Sequence, residues 1–265
     1  MRNDRKSIFE RHQNILNMVR EKGEATVEDI SREFGISEMT VRRDLQMLSE
    51  KNLLCRIHGG AVSLSNVQKT SDEKTVIAVC RSSISAYASR LVADGDTLFI
   101  NGSLTALGLL DYVKDKQLTV YTNNGNVVGR HYAAGIKIRI TGGELRGNVM
   151  VGDYVMRNLL ELTADKTFIG CAAVYDDGEF RYDIPTEIGI NEAMISRTVG
   201  GFYILADHSK LQHRTGQNAA YGSCTYDFPY TLITDELADQ DYVDTLRSQG
   251  IRVIRVSLDG KSMFE

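Results

Sequence analysis

Apolar residues recur at helical spacing in three successive stretches of the first fifty positions, and each stretch has its own start or stop signals. The first runs from Asp4 to Gly23, the second from Thr26 to Gly35, and the third begins at Ser37. The apolar stripes are Ile8, Ile15, Leu16 and Val19 in the first, Val27, Ile30 and Phe34 in the second, and Val41, Leu45 and Leu48 in the third. The pattern predicts three helices, with a tight turn between the second and the third.

The outward face of the third predicted helix carries polar and basic side chains in its first turns. Ser37 is a suitable N-cap, and Glu38, Thr40, Arg42 and Arg43 lie off the apolar stripe. In a helix-turn-helix, the first residues of the second helix reach base edges in the DNA major groove, and arginine and threonine suit both bases and phosphates. Two arginines alone more often mark a solvated helix face. The complete series of helices instead favours DNA binding, with the helix-turn-helix motif at residues 25–44.

A short hairpin is predicted directly after the third helix. The segment NLLCRIHGGAV, residues 52–62, alternates apolar and polar positions and contains paired glycines. Such a wing places Arg56 and His58 beside the DNA backbone. Residues 1–62 are therefore predicted to form a winged helix-turn-helix domain that binds DNA.

The segment SLSNVQKTSDEKT, residues 63–75, contains few hydrophobic side chains and is predicted to be a linker. Beyond it, short β-rich runs alternate with helical stretches. The runs lie at residues 97–101, 118–124, 136–143, 166–174, 201–209, 230–235 and 252–257. This alternation predicts that residues 76–265 form an α/β domain with a mainly parallel sheet.

Small and polar residues follow several of these predicted strands. Ligands of open parallel sheets bind beyond the carboxyl ends of the strands, so these residues are predicted to form one effector-binding pocket. Hydroxyls, amides and a lysine suit a phosphorylated polyol. The predicted effector-binding residues are Asn101, Gly102, Ser103, Thr105, Thr122, Asn123, Asn124, Gly142, Gly143, Asp207 and Lys210. Ordinary strand-to-helix turns favour the same residue types, so a purely structural interpretation stays open for each cluster.

Composition changes this picture little. The 265-residue chain has 31 Lys and Arg against 35 Asp and Glu, so its overall charge gives no support to DNA binding. Its four cysteines form no C-x-x-C pair, and His208 and His213 are not spaced for one helical face, so we expect no metal site and no cofactor. The N-terminus has no signal-like apolar stretch, and no run is long enough to span a bilayer. A cytoplasmic protein with no membrane partner is expected.

The sequence resembles the DeoR family of bacterial transcriptional regulators along nearly its whole length. In the first domain the resemblance rests on GISEMTVRRDLQMLSEKNLLCRIHGGAV, residues 35–62. In the second domain it rests on T-N-N at 122–124, G-G-E-L-R at 142–146, V-G-D at 151–153, D-K-x-F-I-G at 165–170 and A-D-H-S-K at 206–210. The resemblance implies an effector domain that is similar in fold to ribose-phosphate isomerases and CoA transferases and that senses phosphorylated sugars.

By position, the resemblance implies a phosphate loop at Asn101–Thr105, with Thr122–Asn124, Gly142, Gly143 and Lys210 around it. Family members usually have D-x-G-[ST]-[ST] at this loop, whereas this chain has N-G-S-L-T at residues 101–105. An uncharged residue therefore stands where the family has a carboxylate.

The combined prediction is a DNA-binding transcriptional regulator, a repressor of a carbohydrate-utilisation operon that a phosphorylated sugar or sugar alcohol controls. Its partners are then a double-stranded DNA operator and further copies of the chain in a dimer or tetramer, because paired heads bind paired half-sites. The alternative is a sugar-phosphate isomerase-like enzyme tethered to DNA, with Asp207 or Glu144 as the base. Fold resemblance alone does not carry catalysis, so no enzymatic activity is predicted.

Overall fold

Three helices and three short strands make up most of the first of two structural units. The computed structural model describes residues 2–50, 53–57, 59–63, 73–213, 222–259 and 263–264. By its internal contacts the chain divides into Met1–Cys80 and Arg81–Glu265. The first unit contains α1 (Arg2–Lys22), β1 (Glu24–Thr26), α2 (Val27–Phe34), α3 (Glu38–Glu50), β2 (Cys55–Ile57), β3 (Gly60–Val62) and the start of α4 (Glu73–Ala88).

Local sequence explains where α2 begins and ends. The Thr26 hydroxyl accepts a hydrogen bond from the Asp29 N–H (3.0 Å), and the Asp29 carboxylate accepts one from the Thr26 N–H (3.3 Å). This reciprocal capping box satisfies amides that a helix leaves unpaired at its start. Gly35 follows the last helical residue in the left-handed conformation, with φ +60°. The predicted extent of this helix is confirmed.

The predicted apolar stripes form the core of the first unit. Ile15, Val19, Ile30, Val41 and Leu45 are all fully buried in one cluster. Ile8 is the exception to the predicted stripe of α1, because its side chain is 37 % exposed.

The predicted wing hairpin consists of β2 and β3, and β1 adds a third strand. β3 pairs antiparallel with both neighbours. Only glycine fits at position 60, because a Cβ there would collide with the Ala25 carbonyl oxygen and lie 2.9 Å from the Thr26 Cα. The sequence pattern does not predict β1, since three residues are too few to show the alternation of a strand.

The second unit is a larger α/β structure. In chain order it contains the end of α4, β4 (Thr97–Ile100), α5 (Leu104–Gly108), β5 (Leu118–Thr122), β6 (Ile136–Ile140), β7 (Glu144–Arg146), β8 (Val149–Val151), α6 (Asp153–Leu160), β9 (Ala164–Ile169), β10 (Ala173–Tyr175), β11 (Phe180–Arg181), α7 (Glu187–Ser196), β12 (Thr198–Leu205), β13 (Leu211–Gln212), β14 (Ser223–Cys224), β15 (Thr231–Asp235), α8 (Gln240–Ser248), β16 (Arg252–Val256) and β17 (Met263–Phe264).

An eight-stranded sheet is the centre of this unit, with the strand order β17–β16–β15–β12–β9–β4–β5–β6. All pairs are parallel except β16 with β17, which confirms the predicted mainly parallel sheet. Each of the seven predicted β-rich runs supplies one parallel strand. The run at 166–174 also extends further than its strand, because β9 ends at Ile169 and β10 begins at Ala173 in another sheet.

Both faces of the sheet are covered. Leu98 and Ile100 of β4 belong to one buried cluster and Phe99, which points to the opposite face, belongs to another. The four-stranded sheet β13–β10–β11–β14 and the hairpin β7–β8 complete the unit. Their strands are two or three residues long, so the sequence pattern does not predict them. Within the described residues, no helix combines the length and the hydrophobicity that a membrane span requires.

The predicted linker falls mostly where the structure gives no description. Residues 64–72 lie outside the described residues, and Glu73–Thr75 form the first turn of α4. The division between the two structural units falls after Cys80, inside this helix. The domain limits of 1–62 and 76–265 stay a prediction.

Candidate DNA-binding surface and effector pocket

The first turns of α3 expose most of the side chains that the sequence assigns to DNA. The Ser37 hydroxyl caps the helix by accepting a hydrogen bond from the Thr40 N–H (3.2 Å). Ser37, Glu38, Arg42 and Arg43 are exposed, and Thr40 is half-buried. Arg42 donates to Glu38 one turn earlier (3.0 Å), while no described residue pairs with Arg43. Its exposed guanidinium is therefore a candidate for contact with DNA.

The wing places one of its two predicted DNA-binding residues beside α3. The exposed Arg56 donates a hydrogen bond to Gln46 Oε1 on that helix. This contact fixes a basic group next to the exposed face of α3. The other residue, His58, lies outside the described residues.

A buried carboxylate that the sequence analysis missed ties α3 to α1. Asp44 accepts one hydrogen bond from Arg11 at each carboxylate oxygen (2.6 Å at Oδ2 and 3.0 Å at Oδ1), and His12 Nε2 lies 3.1 Å from Oδ1. Burial on its own raises the pKa of Asp44, but the hydrogen bonds from Arg11 and His12 outweigh it and leave the pKa below its ordinary value. The positions of the two residues could have indicated this contact, because His12 and Asp44 both interrupt apolar stripes. A charged residue that is buried in this way needs a partner.

In the second unit, a pocket lies at the carboxyl ends of the adjacent strands β4, β9 and β12, which we call the strand-end pocket. Its volume is about 340 Å³. The pocket is lined by Arg81, Asn101, Gly102, Ser103, Leu104, Thr105, Val149, Gly170, Cys171, Ala172, Tyr182, Asp183, Glu187, Leu205, Ala206, Asp207 and Lys210. Six predicted effector residues are therefore together: Asn101, Gly102, Ser103, Thr105, Asp207 and Lys210.

Asn101 lines this pocket, but its polar atoms are bonded within the protein. Its amide donates to the Gly170 carbonyl (3.0 Å) and to Asn191 (3.2 Å), while its carbonyl oxygen accepts from the N–H groups of Gly170 (3.0 Å) and Ser103 (3.1 Å). The residue is 1 % exposed. Asn101 thus joins the ends of β4 and β9. Its carbonyl oxygen also takes up the Ser103 N–H, a backbone amide of the predicted phosphate loop.

Thr122, Asn123 and Asn124 support the pocket from behind and are fully buried. Asn124 donates to the Ser103 carbonyl (3.1 Å), and Asn123 donates to the Met150 carbonyl (3.0 Å) on the β7–β8 hairpin. These three residues are not among those that line the pocket. Their bonds hold the hairpin and the loop after β4, residues 101–105, in place; we call this loop the first loop.

Gly142 and Gly143 lie at the start of the β7–β8 hairpin and also do not line the strand-end pocket. Gly143 has φ +110°, and a Cβ on it would lie 2.5 Å from the Val155 side chain of α6. Close packing and backbone conformation explain a glycine at this position.

The pocket has two basic side chains, Arg81 and Lys210, and only Arg81 forms an ion pair with a described residue, Asp207. Asp207 is 1 % exposed, accepts from Arg81 Nε (2.8 Å) and accepts from the Ser209 N–H (3.1 Å). No described residue forms an ion pair with the side chain of Lys210, which is half-buried at the pocket wall. Lys210 is therefore available to an anionic ligand.

An acidic part of the pocket was not predicted from the sequence. Glu187, at the start of α7, is half-buried, and burial raises its pKa to about 7, with the nearby Asp183 carboxylate adding to the effect. A Cβ on Gly102 would lie 2.9 Å from Glu187 Oε1, so this carboxyl group lies against the first loop. The segment YDIPTE, residues 182–187, gave no pattern beyond that of a loop before a helix.

Comparison with known proteins assigns the chain to a family. Residues 78–236 match the DeoR C terminal sensor domain, and residues 11–67 match the DeoR-like helix-turn-helix domain. The chain belongs to the DeoR family of transcriptional regulators. The predicted family is confirmed, and the exposed face of α3 and the strand-end pocket lie in its two matched domains.

Relatives of this DeoR-family protein are named as repressors. The glycerol-3-phosphate regulon repressor of Escherichia coli is 31 % identical over 79 % of this chain and 84 % of its own length. The HTH-type transcriptional repressor GlcR of Bacillus subtilis is 27 % identical over 92 % of this chain and 95 % of its own. Among solved structures, ribose 5-phosphate isomerase A of Methanocaldococcus jannaschii aligns with a TM-score of 0.37 at 16 % identity, over 52 % of this chain and 56 % of the other.

Proposed function

We propose that this DeoR-family protein is a repressor of a carbohydrate-utilisation operon, and that a phosphorylated sugar or sugar alcohol controls it from the strand-end pocket. The observation that carries this proposal is the pocket itself, which lies at the ends of three adjacent parallel strands and is lined by Lys210, a lysine that forms no ion pair with any described residue. The names of the E. coli and B. subtilis relatives support the same assignment.

The pocket's charges suit a ligand with an anionic end and a hydroxylated end. Glu187 lies against the loop after β4, whereas Lys210 follows β12, and β9 separates these two strands in the sheet. The lysine and the Glu187 carboxyl group thus belong to different parts of the pocket. Lys210 binds the phosphate, and Glu187 binds sugar hydroxyls, which a protonated carboxyl accepts from and donates to.

The effector assignment is tested by a thermal-shift screen of sugar phosphates, each paired with its dephosphorylated sugar. The expected result is a phosphorylated compound that stabilises the wild type and loses at least tenfold in affinity with Lys210→Ala. Lys137→Ala is the matched control, because Lys137 is an exposed lysine of β6. Equal stabilisation of the wild type and Lys210→Ala by the phosphorylated compound contradicts a phosphate-binding role for Lys210.

DNA recognition is assigned to the exposed face of α3 and to the wing: Ser37, Glu38, Thr40, Arg42, Arg43, Arg56 and His58. The operator-binding protein is a homo-oligomer in the cytoplasm, since paired heads on neighbouring half-sites gain affinity from each other.

Arg43→Ala is expected to weaken operator binding at least tenfold in gel shifts with no change in Tm. Arg20→Ala, an exposed arginine of α1, is the control. Undiminished binding by the Arg43 variant rejects this surface.

A DNA-tethered sugar-phosphate isomerase is the second candidate, and Glu187 is the observation in its favour. A pocket carboxyl with a pKa of about 7 has the property that a general base needs. The earlier candidates fit less well, because Asp207 is paired with Arg81 and Glu144 is exposed on the hairpin. Deuterium uptake from solvent at the carbon next to the sugar carbonyl measures this activity. We expect none, because the relatives are regulators.

A further inference from the structure

The second residue of α3 is a methionine with unusual exposure. Met39 is 80 % exposed, more than any other large hydrophobic side chain among the described residues. Single exposed hydrophobic residues are common and carry no meaning alone. The position of Met39 on α3 is therefore what matters.

Met39 lies on the helix face opposite the core. Helical spacing places it in one row with Arg42, Arg43 and Gln46, three, four and seven residues further on. The buried side chains of α3, Val41 and Leu45, are 0 % exposed and belong to the core of the first unit. Met39 is thus surrounded by the side chains assigned to DNA.

The neighbours of Met39 define what it can contact. Arg42 is held by Glu38 at 3.0 Å, and Gln46 accepts a hydrogen bond from Arg56 of the wing. A thioether is only a weak hydrogen-bond acceptor, so it gains nothing from a phosphate and little from the polar groups of a base edge. In the major groove, the apolar group presented by a base pair is the C5 methyl group of thymine. Methionine is long and unbranched, so it adapts to such a group.

We propose that Met39 is a specificity-determining residue that contacts the C5 methyl group of a thymine in the operator. This inference rests on the proposed DNA-binding role of the α3 face.

The test uses an operator selected by the full-length wild type from random duplexes. Each thymine is then replaced in turn by deoxyuridine, which lacks the C5 methyl group, and Kd is measured by fluorescence anisotropy. One replacement in each half-site is expected to weaken wild-type binding about 3- to 10-fold. Met39→Ala is expected to bind the intact operator more weakly than the wild type by a similar factor. For this variant, the same deoxyuridine replacement is expected to cause no further loss of affinity. Met39→Leu keeps an apolar side chain and retains part of the deoxyuridine effect.

Two controls separate the possible outcomes. Ile8→Ala removes another exposed apolar side chain of the same unit, and its deoxyuridine profile is expected to equal that of the wild type. Identical profiles for the wild type and Met39→Ala overturn the inference, as does a change of oligomeric state in Met39→Ala with an unaltered profile. If the wild type selects no duplex at all, the proposed function fails instead.

Discussion

Asn101 and Asp207 are both close to the strand-end pocket, yet their polar atoms are engaged within the protein. Asn101 bonds Gly170, Ser103 and Asn191, and Asp207 bonds Arg81. A ligand therefore meets mainly the pocket side chains that have no acidic or basic partner among the described residues, and these include the ionisable groups of Lys210 and Glu187. The partners of Asn101 require a side-chain amide, because they include both hydrogen-bond acceptors and hydrogen-bond donors.

Asn101→Asp is expected to destabilise the second unit by about 2 kcal/mol at neutral pH. The new oxygen would face the Gly170 carbonyl and Asn191 Oδ1, which are both acceptors. A protonated Asp donates to one of them, so its folded-state pKa is raised, and the destabilisation is small at low pH and grows as pH rises. Thermal melts from pH 4 to 8 measure this. Asn148→Asp, at an exposed position, is the control, and equal melts for both variants contradict the prediction.

The raised pKa of Glu187 predicts that the stability of the second unit depends on pH. Burial raises its pKa from 4.5 to about 7, so its contribution is fully present below pH 4.5 and is lost as pH rises through about 7. Glu187→Gln is therefore expected to match the wild type near pH 4.5 and to exceed its stability at pH 8. The gain is on the order of 1 kcal/mol after allowance for solvent screening of a half-buried group. Glu192→Gln, an exposed carboxyl of the same helix, should show no such crossover in chemical denaturation.

Among the elements, α1 and α3 are joined by a charge cluster as well as by apolar packing. Asp44 is 2 % exposed at its side chain, and Arg11 binds it through two nitrogens. The ion pair that spans the two helices thus helps to hold α3, and with it the proposed DNA-binding surface, in its orientation.

Asp44→Asn is expected to lower the free energy of unfolding of the first unit by about 2–3 kcal/mol at pH 7, since it leaves Arg11 without its charge partner. The pKa of Asp44 is lowered in the folded protein, so its contribution is present above its ordinary value of 3.8 and is lost as pH falls below it. The difference from the wild type should shrink in acid melts. Glu28→Gln breaks an exposed pair with Arg32 and should cost under 1 kcal/mol. Equal losses from both variants would show that the cluster is unimportant.

The loops after β4 and β9 also act as a pair of elements. A Cβ on Gly170 would collide with the Ser103 side chain, which caps α5 by accepting from the Ala106 N–H (3.2 Å). Glycine at 170 is therefore required for the first loop to reach its position.

Gly170→Ala is expected to displace Ser103 and to lower affinity for a phosphorylated effector at least tenfold. Operator binding without effector should stay unchanged, because the first unit is not altered. Isothermal titration and gel shifts measure the two properties. Gly95→Ala is the control variant, since a Cβ there meets nothing within 4 Å although φ is +85°. Wild-type effector affinity in Gly170→Ala would refute this role of the loop pair.

For the whole molecule, regulation requires that operator and effector favour different states of one protein. A coupling of about 1–3 kcal/mol changes operator affinity about 5- to 150-fold. Thermodynamic linkage makes this effect reciprocal, whatever the path that connects the two sites.

The effector found in the thermal-shift screen is therefore expected to change operator Kd by the same factor by which saturating operator changes effector Kd. Anisotropy titrations at fixed effector and calorimetric titrations at fixed operator give the two factors. Lys210→Ala should reduce both equally. Unequal factors for the wild type would mean that the two ligands are not coupled through one binding equilibrium.

The sequence by itself determined the helices of the first unit and the seven parallel strands of the large sheet, but not the strands of two or three residues. Helical periodicity, the Thr26–Asp29 capping box and the Gly35 stop placed α2, and the seven β-rich runs each held one parallel strand. These features depend on residues within one turn or one strand, so the chain order records them directly.

Only the tertiary structure decided which polar residues remain available for chemistry. Arg81 and Asp207 are 126 residues apart, and Asn101 and Gly170 are 69 apart, so no local pattern reveals that these groups bond each other. The same holds for Glu187, which reaches the first loop only because α7 begins beside it. Periodicity determines which face of an element is buried, but the assembled fold determines which buried polar atoms find partners.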